Sequence, residues 1–265
     1  MNFALNHMVA PNLGYEAFFD LAGSLGISGV EIRNDIATAR MDLGTAAQIK
    51  GWAAARGITI VSVNALQRFN QWSAQRAAEA QELAAYAAAA GAKALVLCPV
   101  NDTAFTPATA ERLAGLREAL TSLAPILNAH GLKGLVEPLG FAECSLRLKS
   151  EAVAAIDATG TASTYSLVHD TFHHFVAGET EMFPARTGLV HISGVTDRKQ
   201  TAATMRDPHR VLVDAADMID NIGQMRKLAA AGYAGVFSFE PFAAEVHKDS
   251  TIVSSLRASR DYLSA

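Results

Sequence analysis

The stretch GLVEP (134–138) places a carboxylate after a short apolar run, and the same arrangement recurs in SLVHD (166–170), GLVHI (188–192) and VFSFE (236–240). A potential metal ligand lies at or next to the end of each run: Glu137, Asp170, His191 and Glu240. The pattern predicts parallel strands in successive βα units, whose C-terminal ends meet at one rim. Carboxylate oxygens and one imidazole nitrogen suit a hard or borderline divalent cation, whereas thiolates would indicate structural zinc. We therefore predict a metal site in the mouth of a barrel.

Strand-like and helix-like runs alternate along the rest of the chain without a break. The strand-like runs are Phe3–Asn6, Gly29–Arg33, Ile58–Asn64, Ala94–Cys98, Lys133–Glu137, Tyr165–Asp170, Gly188–Ser193 and Val236–Glu240. The helix-like runs are Gly14–Leu25, Thr45–Arg56, Ser73–Ala90, Pro107–His130, Ser150–Ala158, Asp217–Ala231 and Ala244–Leu263. Eight strands alternating with helices predict an α/β fold, a single (β/α)8 TIM barrel that forms one catalytic domain over residues 1–265.

Composition and charge narrow the classes of partner. Half of the 265 residues are hydrophobic, 18% are charged, and the formal net charge is −4. A mildly acidic chain lacks the basic face that DNA or RNA binding requires, so we expect a small-molecule substrate and no nucleic acid. We expect no membrane partner, since the most apolar region is too short to span a bilayer and no signal peptide is evident. The expected location is the cytoplasm, and a homo-oligomer is left open.

Further polar residues lie within or just after the strand-like runs and are candidates for substrate binding. Glu31 and Arg33 alternate in GVEIRND and share one face, so they either pair with each other or hold substrate hydroxyls. His7 follows the first run, where turn chemistry is an equally ordinary role. A long segment after the seventh run carries Arg198 and Arg210, and segments after strand C-termini build pockets in such barrels.

Several common cofactor and nucleophile motifs are missing. The sequence has no G-x-G-x-x-G after the first strand and no G-x-x-x-x-G-K-[ST], which argues against a dinucleotide or a P-loop. No G-x-S-x-G elbow occurs, which removes the simplest serine-hydrolase interpretation.

The segments VEPLG, HDTFHH, HISG and FSFEPF resemble the metal-site strands of the sugar isomerase/epimerase superfamily, whose fold is the xylose-isomerase-like TIM barrel. The resemblance extends over essentially the whole chain. Within the superfamily, ALNHMVAPNLGY, GVEIRND, VHISGVTDR and RDPHRVLVD are most similar to the bacterial inosose (2-keto-myo-inositol) isomerases. This similarity implies a role in inositol catabolism.

The resemblance also implies a ligand set and a chemistry. It implies one divalent ion (Mn, Mg, Co or Zn) on Glu137, Asp170, His191 and Glu240, with Glu137 and Glu240 exchanging protons with carbon. His173, three residues after the aspartate, resembles a substrate-contacting histidine, and Arg198 matches the substrate arginine of the family approximately. The implied reaction is isomerisation of a polyol ketone through an enediolate.

Other functions of the same fold fit the sequence to different degrees. A zinc-dependent DNA repair nuclease of the same superfamily would need more histidines on the second and third strands, where Arg33, Asn34 and Asn64 stand instead. A non-catalytic sugar-binding barrel does not explain four intact ligands. The remaining alternative is a ketose 3-epimerase or a hydroxypyruvate isomerase. The basic segment from Arg198 to Arg210 has no glycine-rich phosphate cradle, which favours a neutral substrate.

Overall fold

The computed structural model of the chain describes residues 1–265, and its eight strands form one closed, parallel barrel in sequence order. This confirms the predicted TIM barrel. The strands are β1 (Asn2–Asn6), β2 (Gly29–Arg33), β3 (Thr59–Gln67), β4 (Ala94–Cys98), β5 (Lys133–Val136), β6 (Tyr165–Asp170), β7 (Thr187–Ile192) and β8 (Val236–Phe239). Each strand pairs with its sequence neighbours, and β1 pairs with β8 to close the ring.

Helices surround the barrel and connect consecutive strands. They are α1 (Tyr15–Ser24), α2 (Leu43–Ala55), α3 (Ala74–Ala90), α4 (Thr109–Ala129), α5 (Lys149–Ala158), α6 (Thr171–Ala177), α7 (Asn221–Ala230), α8 (Ala244–His247) and α9 (Ile252–Ser264). None of them combines the length and the hydrophobicity that crossing a bilayer requires.

Three elements differ from the sequence expectation. A short helix, α6, follows β6 directly, where no helix-like run was predicted. β3 continues to Gln67, because Leu66 and Gln67 pair with Leu97 and Cys98 of β4 beyond a shift in register. The expected last helix is interrupted after His247. There the Asp249 carboxylate accepts hydrogen bonds from the Thr251 amide at 2.7 Å and from the Ser255 hydroxyl at 2.6 Å, and so starts a new helix.

Two apolar layers enclose the strands. The larger layer has 53 buried residues and fills the space between the barrel and its helices. A small cluster lies inside the barrel and includes Val96, Leu135, Val168 and Leu189. We call these four residues the apolar plug. Alternating side chains of a strand point to opposite faces, so the residues two positions beyond the plug also face inward, nearer the C-terminal rim.

β5 packs tightly against the helical layer at Gly134. A Cβ atom at this position would lie 2.5 Å from the ring of Tyr165 and 2.9 Å from Leu127. The ring cannot move freely, because the Tyr165 hydroxyl donates to the Leu120 carbonyl at 2.8 Å. We expect Gly134→Ala to lower the free energy of unfolding by about 1–3 kcal/mol, the usual range for overpacking.

The control for that variant is Gly51→Ala on the exposed side of α2, where a Cβ atom would meet nothing within 4 Å. An alanine in a helix interior should stabilise the protein by up to about 1 kcal/mol. Chemical denaturation of both variants measures the difference. A Gly134→Ala protein as stable as Gly51→Ala would show that Tyr165 and β5 yield easily.

Candidate metal centre and substrate pocket

The four predicted ligands converge at the C-terminal rim because they stand in phase with the apolar plug. Glu137, Asp170 and His191 each follow a plug residue by two positions, on β6 and β7 and directly after β5. Glu240 lies just after β8, two positions beyond the inward-facing Ser238. All four side chains are buried, and one potential ligand atom of each lies within 4.8 Å of the others.

The imidazole of His191 lies at the centre of this group. Its Nδ1 atom is 2.8 Å from a Glu137 oxygen, 3.2 Å from a Glu240 oxygen and 3.9 Å from an Asp170 oxygen. Burial alone would lower the pKa of His191, but the Glu240, Glu31 and Glu137 carboxylates raise that pKa well above its ordinary value. A divalent cation held by the same atoms would take over the compensation of charge and displace the proton from Nδ1.

Two arginines donate hydrogen bonds to the carboxylates of this group. The Arg210 Nη2 group donates to Asp170 at 2.6 Å and to Glu240 at 3.0 Å. Arg33 donates to the other oxygen of Glu240 at 2.8 Å. Burial opposes ionisation of Glu240, but His191, Arg210 and Arg33 together lower its pKa. Glu240 is therefore held as a carboxylate on both of its oxygens.

The charges around His191 fit a divalent cation. Four buried carboxylates face this region, those of Glu31, Glu137, Asp170 and Glu240, and two buried guanidinium groups oppose them. With a neutral imidazole, two negative charges remain, and uncompensated charge in a protein interior is strongly unfavourable. The donor set of three carboxylate oxygens and one imidazole nitrogen suits Mn, Mg, Co or Zn. These residues could therefore bind one such ion.

Arg210 reaches the site because its loop folds back over the barrel. Gly194 and Val211 exchange two backbone hydrogen bonds of 2.8 Å, which returns the chain to the rim after a long excursion. The Arg210 carbonyl then accepts from the amides of Phe242 and Ala243, and its guanidinium lies 4.6 Å from the Phe242 ring centre. Phe242 thus contacts Arg210 twice, through a backbone hydrogen bond and through a cation–π contact with the guanidinium group.

A cavity of about 410 Å³ opens over Glu137 and Glu240. Only three of its fifteen lining residues are hydrophobic, so the cavity suits a polar ligand. Its lining consists of Arg33, Asp35, Asn64, Gln67, Arg68, Cys98, Pro99, Asn101, Glu137, Leu139, His173, Asp207, Arg210, Glu240 and Phe242.

Three of the six residues predicted to bind substrate line this cavity: Arg33, His173 and Arg210. The His173 ring packs edge-on against Phe141 at 5.1 Å, and its buried Nδ1 atom has no hydrogen-bond partner within the protein. A buried polar atom without a partner is unusual in a folded protein.

The other three lie elsewhere. The His7 ring stacks on Phe18 at 4.1 Å, and its Nε2 atom bonds the Leu13 carbonyl at 2.9 Å. Burial lowers the pKa of His7 to about 4, so this ring is a neutral part of the core at physiological pH. Arg198 is exposed, with its guanidinium 3.5 Å from the Ala216 carbonyl. Glu31 lies beneath the cavity with no exposed surface.

Cys98 and Phe242 line the cavity although neither was predicted to belong to the site. The Cys98 thiol lies 3.4 Å from the Glu137 oxygen that points away from His191. Burial and the Glu137 charge raise the pKa of this thiol well above its ordinary value, so it stays protonated and can donate. A sequence signal existed, since Cys98 ends the fourth strand as the ligands end theirs. For Phe242 the sequence carried no such signal, apart from its position two residues after Glu240.

Comparisons with known proteins agree with this architecture. Residues 19–262 match a family model described as a xylose isomerase-like TIM barrel. A xylose isomerase domain containing protein from Salmonella typhimurium LT2 is 32% identical, over 100% of this chain and 97% of that one, with a TM-score of 0.91. No curated protein sequence matches the chain.

Two further solved structures share the fold at lower identity. An IolI protein with a bound zinc atom is 20% identical over 100% of this chain and 98% of that one, with a TM-score of 0.88. A D-psicose 3-epimerase from Clostridium cellulolyticum H10, solved with D-tagatose, is 16% identical over 100% of this chain and 98% of that one, with a TM-score of 0.77.

Binding of a divalent cation should be measurable as stabilisation. We expect Mn²⁺ to raise the Tm of protein pretreated with EDTA, since a ligand at 100 times its Kd contributes about 2.7 kcal/mol. His191→Ala removes the central donor and should abolish the shift. Glu118→Gln, at an exposed position on α4, is the control and should keep it. Equal shifts in His191→Ala and wild type would place cation binding elsewhere.

Proposed function

The chain belongs to the xylose isomerase-like TIM-barrel family, and from this we propose that it is a divalent-metal-dependent isomerase or epimerase of a polyol ketone. One observation supports the proposal above all others. Two buried glutamates, Glu137 and Glu240, lie at the base of a polar cavity and share a group of potential ligands with Asp170 and His191. Isomerases and epimerases of small sugars occur in this superfamily, including the D-psicose 3-epimerase.

The proposed reaction needs a base, an acid and a means of stabilising negative charge. Moving a carbonyl along a polyol, or inverting the carbon beside it, begins with removal of a proton α to the ketone. When bound, the divalent ion would supply Lewis acidity for the charge that develops on the substrate oxygens. Glu137 and Glu240 stand three strands apart around the rim, and we assign to them the removal and return of protons.

The protein surroundings of the two glutamates are unequal. Glu240 accepts from Arg33 and Asn6 on one oxygen and from Arg210 on the other. Glu137 has the His191 ring on one oxygen and only the weakly donating Cys98 thiol on the other. Both carboxylates reach the cavity, so each can exchange a proton with a substrate bound there.

The charges that line the cavity favour a neutral substrate. Every arginine of the lining is already paired with a carboxylate: Arg33 with Asp35 and Glu240, Arg68 with Asp102, and Arg210 with Asp170, Asp207 and Glu240. A phosphate or a carboxylate on the substrate would have to displace one of these partners. We therefore favour an inosose over a phosphorylated sugar or hydroxypyruvate, and a free ketose with 3-epimerisation is the alternative substrate.

Substitution of the two glutamates tests their assigned roles. We expect Glu137→Gln and Glu240→Gln each to lower kcat by about 10²–10⁴-fold, the range for general acid–base groups. His173→Ala and Arg198→Ala should lower kcat less, since neither side chain is assigned a proton transfer. Steady-state kinetics with Mn²⁺-loaded protein measures the effects, and Glu118→Gln on exposed α4 is the control. A glutamine variant that retains the cation and near-normal turnover would remove that residue from proton transfer.

Substrate and reaction type can be tested together by NMR in deuterated water. Metal-loaded protein is offered inososes and free ketoses, and we expect turnover of an inosose with deuterium entering the carbon next to the carbonyl. The physical reason is that a proton held by a carboxylate exchanges with solvent before it returns to carbon. Inversion at the third carbon of a free ketose, without inosose turnover, would select the epimerase. Turnover with no deuterium incorporation would instead favour a hydride shift, and turnover unaffected by EDTA would contradict metal dependence.

A further inference from the structure

Glu31 lies inside the barrel, directly beneath the candidate metal centre. It stands on β2, has no exposed surface and takes no part in the lining of the cavity. A substrate in the cavity therefore cannot reach it while His191 and its neighbours are in place. A buried carboxylate with no access to substrate or solvent needs another role, because burial of its charge is unfavourable without compensation.

Both carboxylate oxygens of Glu31 accept hydrogen bonds from side chains on other strands of the barrel. On one oxygen it accepts from the Ser62 hydroxyl at 2.6 Å and from the Asn64 amide at 2.7 Å. On the other it accepts from the Ser238 hydroxyl at 2.5 Å and from the Asn6 amide at 3.4 Å. An ionised carboxylate surrounded by donors acts as an acceptor only.

The remaining neighbour of Glu31 is the His191 ring. Its Nε2 atom lies 3.1 Å and 3.2 Å from the two Glu31 oxygens. The opposite ring atom, Nδ1, faces Glu137 at 2.8 Å and Glu240 at 3.2 Å. Since Glu31 can only accept, Nε2 must carry a proton, and Nδ1 is the ring atom directed at the other potential ligands.

We propose that Glu31 is the positioning residue of the metal centre: it keeps a proton on His191 Nε2 and thereby presents the Nδ1 lone pair to the cation. The inference rests on the proposed metal-dependent function and assigns Glu31 to the protein side of the site. A carboxylate in this position fixes both the tautomer and the orientation of a ligating imidazole. The neighbouring Ser62, Asn64, Ser238 and Asn6 hold Glu31 in turn.

The first test measures cation affinity, independently of turnover. Glu31→Gln keeps the shape of the side chain but removes its charge, and we expect the Kd for Mn²⁺ to rise about 10–100-fold, as for other outer partners of ligating histidines. Glu118→Gln on the exposed side of α4 is the matched control, because it makes the same substitution away from the site, and it should leave the Kd unchanged. Thermal unfolding in EDTA verifies that both variants are folded.

The second test uses the wild-type protein, so it can be carried out even if Glu31→Gln does not fold. Protein with nitrogen-labelled histidine is loaded with a spin-active cadmium isotope and examined by NMR. We expect cadmium to couple to Nδ1 of His191 and a slowly exchanging proton to be bonded to Nε2. Coupling to Nε2, or a deprotonated Nε2, would overturn the inference.

The outcomes separate this inference from the proposed function. Wild-type protein that binds neither Mn²⁺ nor cadmium at His191 would overturn the metal-dependent function and the role of Glu31 with it. Binding that is equally tight in wild type and folded Glu31→Gln would overturn the role of Glu31 alone. A raised KM with unchanged cation affinity in Glu31→Gln would return Glu31 to the substrate-binding residues.

Discussion

The electrostatic demand of four buried carboxylates is the constraint on which the rest of the site depends. Glu31, Glu137, Asp170 and Glu240 lie inside or at the rim of an apolar barrel, where isolated charges would be unstable. The chain meets the demand with the imidazole of His191 and the guanidinium groups of Arg33 and Arg210. Each of these three side chains contacts at least two carboxylates, so a substitution at one position alters the charge compensation at the others.

The polar groups are arranged in layers because side chains of a strand alternate. The lowest inward layer is the apolar plug, Glu31 lies above it under His191, and the ligand atoms lie at the rim. Loops complete what the strands begin, since Arg210 comes from the returning segment after β7. The strand ends therefore position the four potential ligands, and the loop after β7 supplies the positive charge of Arg210.

The closed barrel followed from the alternation of eight strand-like runs with helix-like runs. The convergence of Glu137, Asp170, His191 and Glu240 followed from a second repeated feature, a potential ligand at a strand end. Alternation also placed Glu31 and Arg33 on one face, but it did not say at which depth. That depth depends on the stagger between strands, and β2 shifts register against β3 between Val30 and Glu31. The positions of His7 and Arg198 depend on local packing and on a loop path, for which the sequence carries no periodic signal.

The apolar plug also determines how molecules enter and leave. Val96, Leu135, Val168 and Leu189 fill the barrel beneath the polar layer, so the cavity has a floor as well as walls. The cavity therefore opens at the C-terminal rim of the barrel. Under the proposed function, the substrate and its isomeric product would use this same opening. The net direction of that conversion would then depend on the concentrations of the two isomers relative to their equilibrium ratio.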